Sequence, residues 1–249
     1  ATYVGKVGAD EAGDEIRKVL SNEGIVPQLY LSRKEPTGAA YIMLDRLGQN
    51  RIIVSAGTNR MYTEEYIKNV LEKAEAGDFV LLQNEINMVG EIIRLSHEKG
   101  CRVVFNASPI PGKPEELPLE LVDIFMVNEL EAAALAGTST EGDFRDILKA
   151  LQKKYPKAAI VMTLGKEGVF YGYKEEFYSH PIFKVNAVDT TAAGDTFCGY
   201  FLAALCAEKS VETALREASA ASAMAVSAKG AAPSIPVHSA VEEWLCGRS

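Results

Sequence analysis

Residues 189–197 read DTTAAGDTF, and the apolar run CGYFLAALCA follows at once. Two carboxylates, Asp189 and Asp195, stand six residues apart, one on each side of a small-residue turn. Ala192, Ala193 and Gly194 carry little side chain, so a ligand can approach their backbone. The first N–H groups of the helix that begins here have no partners within it. Together they suit a phosphate or another oxyanion. Asp195 falls in the first helical turn, where the terminus favours negative charge by about 0.3–1 kcal/mol and keeps the carboxylate ionised. An ionised carboxylate beside an anion hole is what phosphoryl transfer to an alcohol needs. The base takes the hydroxyl proton while the N–H groups hold the transferring group. A plain N-capped helix with a small-residue packing face has the same spacing, and spacing alone does not choose between them.

The elements that must position this loop alternate. TYVGKV reads as a buried strand, and DEAGDEIRKVLSNEG as an amphipathic helix ending at Gly24. Between Val26 and Val54, PQLYLS, GAAYIMLD and NRIIVSA are short β-rich runs, the last two joined by RLGQ. That pattern predicts an antiparallel excursion from the main domain. Helix TEEYIKNVLEKAEAG then leads to strand DFVLLQ, helix MVGEIIRLSHEKG to strand CRVVFN, strand VDIFMV to helix NELEAAALAG, and helix DFRDILKALQKKY to strand AAIVMTLG. From Ala192 to Trp244 the chain reads as mostly helical. The alternation predicts an α/β fold, a parallel sheet covered by helices on both faces. Such sheets bind ligands at the carboxyl ends of their strands. The candidate positions there are Asn84 and Glu85, Asn106, Asn128, Thr163 to Gly168, and Asp189 to Asp195.

Composition narrows the function. The chain has 249 residues, 47% hydrophobic and 24% charged, as in an ordinary globular protein. No apolar run approaches a transmembrane span, and the N-terminus resembles neither a signal nor a transit peptide. A net charge of −8 argues against a nucleic-acid or anionic-membrane surface. Cys101, Cys198, Cys206 and Cys246 show no CxxC spacing, and their apolar neighbours suggest buried thiols in a reducing cytoplasm. His97, His180 and His238 are isolated, which gives little support to a zinc cluster or a Ser–His–Asp triad. No G-x-G-x-x-G turn follows the first strand and no G-x-x-x-x-G-K-[ST] loop is present, against a dinucleotide oxidoreductase and a P-loop kinase.

DTTAAGDTFCGYF resembles the C-terminal signature of the ribokinase/PfkB family of carbohydrate and nucleoside kinases, which accepts Gly or Ala at positions 192 and 193 and keeps the Gly-Asp pair. NELEA (128–132) is similar to the family's Asn-x-x-Glu motif, TLGKEG (163–168) to its nucleotide-contacting turn, and KGAAPSIP (229–236) to its late loop near the adenine and a monovalent cation. EPTGAAYIMLDRLGQNRIIV resembles the lid strands, and LLQNEI and VVFNASP two substrate-side strand ends. The resemblance implies a three-layer ribokinase-like (Rossmann-like) domain over 1–249, mostly parallel, with lid strands inserted at 26–56. It implies Asp195 as catalytic base, beside the sugar hydroxyl, with the N–H groups of Ala192, Ala193 and Gly194 as anion hole. Asn128 and Glu131 would act near magnesium and phosphates, and Asn128 would also cap its helix. Thr163, Gly165, Gly168 and Ser219 would border the nucleotide. Asp189 would bind a monovalent cation, usually potassium, with the carbonyls of Thr191, Ala225, Ala228 and Gly230 and with Ser234. Oxygen ligands suit such a hard cation. Otherwise Asp189 only satisfies loop N–H groups. Glu85 would contact a sugar hydroxyl, which leans the reading toward ribose.

The family opens with a strand bearing an aspartate and a Gly-Gly-x-x-x-Asn segment that grips the sugar, ahead of the strand matching TYVGKVG. This chain starts after both, so a fragment lacking a central strand and the main sugar contacts is expected. The implied function is ATP-dependent phosphorylation of a sugar primary hydroxyl, ribose first. Fructokinase, 2-keto-3-deoxygluconate kinase, nucleoside kinase and a non-catalytic homologue are the alternatives. ATP, Mg2+ and K+ are the implied cofactors, with a cytoplasmic location and a homodimer through the lid.

Overall fold

Side-chain caps at Asp10, Thr63, Asn128 and Asp143 start four helices where the sequence predicts them. The computed structural model describes residues 1–44 and 50–248. Within them the chain divides into two units, 1–103 with 111–122, and 104–110 with 123–249.

The first unit opens with β1 (Thr2–Gly8), α1 (Glu11–Asn22) and β2 (Val26–Ser32). Asp10 caps α1, its Oδ1 accepting the Gly13 N–H at 2.9 Å. Only the second half of β1, from Gly5 to Gly8, is buried. β2 lies parallel to β1, with Thr2 opposite Val26 and Gly8 opposite Ser32. PQLYLS therefore belongs to a β-α-β unit and not to the antiparallel excursion. The physical reason is α1, which supplies the dozen-residue crossover that a parallel pair requires.

The excursion is the hairpin of β3 (Ala39–Leu44) and β4 (Asn50–Ser55), Ala39 opposite Ser55. Its expected connection, RLGQ at 46–49, lies outside the described residues. Both ends of the hairpin are fastened to β1 and to Asp10, the cap of α1. The Thr37 hydroxyl donates to Asp10 Oδ1 at 2.6 Å and the Gly8 N–H donates to Thr37 Oγ1 at 2.9 Å. On the other side, the Thr58 hydroxyl donates to the Lys6 carbonyl at 2.7 Å. Next come α2 (Glu64–Leu71), β5 (Phe79–Leu82), α3 (Val89–Glu98) and β6 (Arg102–Asn106). β5 neighbours β6, whose first two residues still belong to this unit.

The second unit holds β7 (Ile124–Asn128), α4 (Glu129–Ala136), α5 (Phe144–Lys154), β8 (Ala159–Thr163), β9 (Val169–Tyr173), β10 (Glu176–His180), α6 (Ala193–Cys206), α7 (Val211–Val226) and α8 (His238–Cys246). β6, β7 and β8 run parallel, with Val104 opposite Ile124 and Ile124 opposite Ala159. β9 turns back antiparallel to β8, and β10 antiparallel to β9. The sheet is thus mixed: GVFYGYKEEFYSH forms a hairpin that the helix–strand rhythm did not predict. β7 and β8 are buried almost throughout, as parallel strands covered on both faces must be. Phe105, Phe125, Ile160, Met162, Phe201 and Leu215 are among the fully buried side chains of this unit.

None of the four cysteines is disulfide-bonded. Cys101 and Cys198 are buried as expected, but Cys206 and Cys246 are exposed. Each of these two sits in the final turn of its helix, where an apolar neighbourhood in sequence no longer means burial in space. Among the described residues no helix is long and apolar enough to cross a membrane.

Candidate phosphoryl-transfer site

The DTTAAGD loop is held from behind by the end of α7. The N–H groups of Val188 and Asp189 both donate to the Val226 carbonyl, at 2.7 and 3.2 Å. The Asp189 carboxylate then ties two loops together. Its Oδ1 accepts the Thr191 N–H at 2.9 Å, and its Oδ2 accepts the Gly230 N–H at 3.0 Å. These bonds hold the carboxyl down at about 2, the Thr191 hydroxyl contributing most, then the two N–H groups, with Lys229 adding a little. Asp189 does satisfy loop N–H groups, whatever else it binds.

The turn reaches α6 through Ala192, which sits at φ 60° and ψ 13°. A left-handed conformation costs an L-residue roughly 1–2 kcal/mol. A left-handed residue in a turn is one component of the backbone nests that bind anions. α6 has no side-chain N-cap. The Ala193 N–H makes only a turn bond to the Thr190 carbonyl at 3.3 Å, and the Thr196 N–H donates to Ala192 at 2.9 Å. A Cβ built on Gly194 would meet no atom within 4 Å, so the space above this peptide is open. Asp195 is exposed one residue later, while Thr196, Phe197 and Cys198 anchor the helix in the interior. The Ser222 hydroxyl of α7 donates to the Ala193 carbonyl at 3.0 Å. Cys198, one turn beyond Asp195, packs its Sγ 3.2 Å from Met126 Sδ and 3.7 Å from Asn106 Nδ2. Burial first, and the Asp195 charge second, push its thiol up to about 12, so it is inert as a nucleophile at neutral pH.

Adjacent strand ends bring two more predicted residues together. Asn128 closes β7 directly opposite Thr163 of β8. Asn128 and Glu131 form a reciprocal capping box: each backbone N–H donates to the other's side chain at 2.9 Å. Glu131 is buried. The helix-capping role of Asn128 is therefore real and leaves its second proposed role to its remaining amide atoms. Gly165, at φ +50°, has open space where a side chain would go.

Gly168 has a different reason to be glycine. At φ +97° its missing Cβ would lie 2.2 Å from the His180 carbonyl oxygen. The backbone of the hairpin, and not a ligand, fills that space. Gly168→Ala should lower unfolding free energy by about 3 kcal/mol, the sum of a forbidden φ and a backbone shift. Urea unfolding monitored by circular dichroism would show it; an unchanged midpoint would contradict the packing described.

Ser219 lies half-buried on α7. The Ala225 carbonyl accepts the Ala228 N–H at 3.1 Å, and the Ser234 hydroxyl donates to the Ala231 carbonyl at 2.8 Å. The lone pairs of Ser234 Oγ are left to accept. Among the described residues no cluster of three His, Cys, Asp or Glu could hold a metal. A cation beside Asp189 would therefore rely on carbonyl and hydroxyl oxygens. Glu85 belongs to the other unit, exposed in the loop after β5. Burial raises the Tyr3 phenol pKa, and the Glu85 charge adds to it.

The model of the pfkB family of carbohydrate kinases matches residues 1–238. The chain belongs to this family. Ribokinase from Bacillus subtilis is 37% identical, the match covering 97% of this chain and 80% of that protein. The solved ribokinase of Thermotoga maritima superposes with a TM-score of 0.86 at 33% identity, over 99% of this chain and 81% of its own. Arabidopsis thaliana ribokinase, solved with ribose and ATP, gives 0.84 at 32% identity, over 98% and 81%. The fold is ribokinase-like.

Two groups at the site carried no signal in the sequence. Ser222 and Ala193 are 29 residues apart, and nothing distinguishes Ser222 from the other serines of its Ala/Ser-rich helix. The left-handed conformation of Ala192 is equally silent, because a glycine would have announced it and an alanine does not.

Proposed function

We propose that this chain transfers the γ-phosphoryl group of ATP to the primary hydroxyl of ribose, giving ribose 5-phosphate and ADP. One observation carries the reaction type. An exposed carboxylate, Asp195, stands in the first turn of a helix with no side-chain cap, entered through a left-handed residue. Asp195 accepts the hydroxyl proton, and the N–H groups of Ala192, Ala193 and Gly194 hold the transferring phosphoryl oxygens. The substrate rests on the ribokinases to which the chain is similar. Glu85 is on this reading an acceptor for a sugar hydroxyl, and Thr163, Gly165, Gly168 and Ser219 border the nucleotide.

The donor chemistry fits the two cations. Magnesium neutralises charge on the phosphates when bound, and Asn128 and Glu131 offer oxygens to its water ligands. Potassium would take the Asp189 carboxylate, the carbonyls of Thr191, Ala225, Ala228 and Gly230, and Ser234. It would fix the loop that carries the anion hole. A cytoplasmic location accords with four cysteines outside any disulfide.

A homodimer through the hairpin is part of the proposal. Tyr41, Ile42, Ile53 and Val54 all expose apolar side chains on β3 and β4. Sedimentation velocity should show a dimer that Ile53→Lys converts to a monomer; an unmodified chain that runs as a monomer removes this part.

The deciding assay couples ADP release to a panel of ribose, deoxyribose, fructose, 2-keto-3-deoxygluconate and adenosine. Ribose should give the highest kcat/KM. A different preferred acceptor would correct the substrate. Nucleotide binding with no acceptor-dependent ADP release would make the chain a non-catalytic homologue.

A further inference from the structure

Each of α1, α2, α4, α5 and α7 has its first turn capped by a side chain. α3, α6 and α8 do not, and α3 and α6 are each preceded by a residue in a costly left-handed conformation, Met88 and Ala192. An uncapped first turn is where a helix frays. Capping α6 from its N–H side would fill the very donors that an anion needs. The chain fastens the turn from the opposite side instead. Ser222 Oγ donates to the Ala193 carbonyl at 3.0 Å, from one helix to the other.

That carbonyl and the Gly194 N–H belong to one peptide unit. In a planar trans peptide the two point in opposite directions. A hydroxyl that holds the carbonyl toward α7 therefore holds the Gly194 N–H away from α7, at the residue whose Cβ direction is open. The choice of partner is not forced on a helical serine. Ser227, the C-cap residue of the same helix, turns its hydroxyl back to the Ala223 carbonyl at 2.8 Å, the usual local alternative. Ser222 reaches across.

We infer that Ser222 is a positioning residue for phosphoryl transfer: it fixes the Ala193–Gly194 peptide so that the Gly194 N–H is aimed at the transferring group before substrate arrives. This rests on the phosphoryl-transfer reading of the loop. Ser222 touches no reacting atom and acts through the peptide alone.

The test uses the full chain, labelled with 15N-glycine, with the Gly194 amide signal identified by its loss in Gly194→Ala. Inorganic phosphate is the probe. In the unmodified chain the Gly194 signal should move saturably with phosphate. In Ser222→Ala, a substitution that a helix accepts readily, phosphate affinity should fall about fivefold. Ser222→Thr, which keeps the hydroxyl, should restore it. In turnover, Ser222→Ala should lower kcat by about 3–10-fold with KM for ribose unchanged, less than the 10²–10³ for losing an oxyanion donor outright. Ser222→Thr should recover the rate. Equal phosphate affinity in Ser222→Ala and the unmodified chain, or a Gly194 amide that ignores phosphate, overturns the inference. So does a loss that Thr fails to rescue. If the unmodified chain releases no ADP with any sugar, the proposed function fails, and the phosphate titration still decides the role of Ser222.

Discussion

Asp195→Asn should lower kcat for ribose phosphorylation by about 10³-fold or more while ATP affinity stays within about twofold. The substitution keeps the side chain's shape, exchanges one acceptor oxygen for an NH2 donor, and removes the negative charge together with the ability to take a proton. Two features make it a clean experiment. Asp195 is exposed, so no buried charge is stranded or created. Its helix is anchored by Thr196, Phe197 and Cys198, all buried, so the first turn has a fixed base. The loss of a negative charge at the helix start should cost only about 0.3–1 kcal/mol of stability. Turnover is read by coupled ADP release and affinity by calorimetry with ATP. Activity at the unmodified level would remove Asp195 as the base. A parallel loss of ATP affinity would mean that it organises the nucleotide.

Local chemistry was legible in the sequence, and chemistry assembled across distance was not. DTTAAGD announces a small-residue turn into a helix because each requirement falls within seven consecutive residues. Asn128 and Glu131 announce a capping box because its two members stand three apart, and the box is present. The β-rich runs at 39–55 likewise give their hairpin. PQLYLS misleads because a short alternating strand looks the same whether its partner runs parallel or antiparallel. Only the crossover helix before it decides, and that makes it the partner of β1. The β9–β10 hairpin leaves no such trace because an edge hairpin breaks the helix–strand rhythm that reveals the rest. Cys206 and Cys246 are exposed against expectation because composition near a helix end says little about which face the residue takes. The bonds that shape the site lie furthest from any pattern. Asp189 reaches Gly230 over 41 residues and Ser222 reaches Ala193 over 29. A single sequence read for spacing has no means of registering such a pair.

The Asp189 clamp has the second large expected effect. Its two oxygens accept N–H groups from two different loops. An asparagine there can accept with one oxygen, but its amide then faces the other N–H donor to donor. Asp189→Asn should therefore both detach one loop and, at the proposed cation site, remove a charged ligand. A fall in kcat of about 10–100-fold is expected, smaller than for Asp195 because no reacting atom is touched. Two signatures separate the clamp from a general loss of fold. The first is pH. Thr191 and Gly230 hold the Asp189 carboxyl at about 2, below its ordinary 3.8. A depressed carboxyl stabilises the fold fully above its unfolded value and loses that contribution as pH falls through the folded one. The unfolding midpoint of Asp189→Asn should thus lie below that of the unmodified chain by a constant margin above about pH 4, and the two should converge toward about pH 2. A margin that stays constant down to that pH would show the clamp is not the source. The second signature is the cation. Exchanging potassium for tetramethylammonium should slow the unmodified chain and leave Asp189→Asn unchanged. If the unmodified rate ignores the exchange, Asp189 is a loop tether alone, and the loop between Asp189 and Asp195 is held by its two N–H bonds.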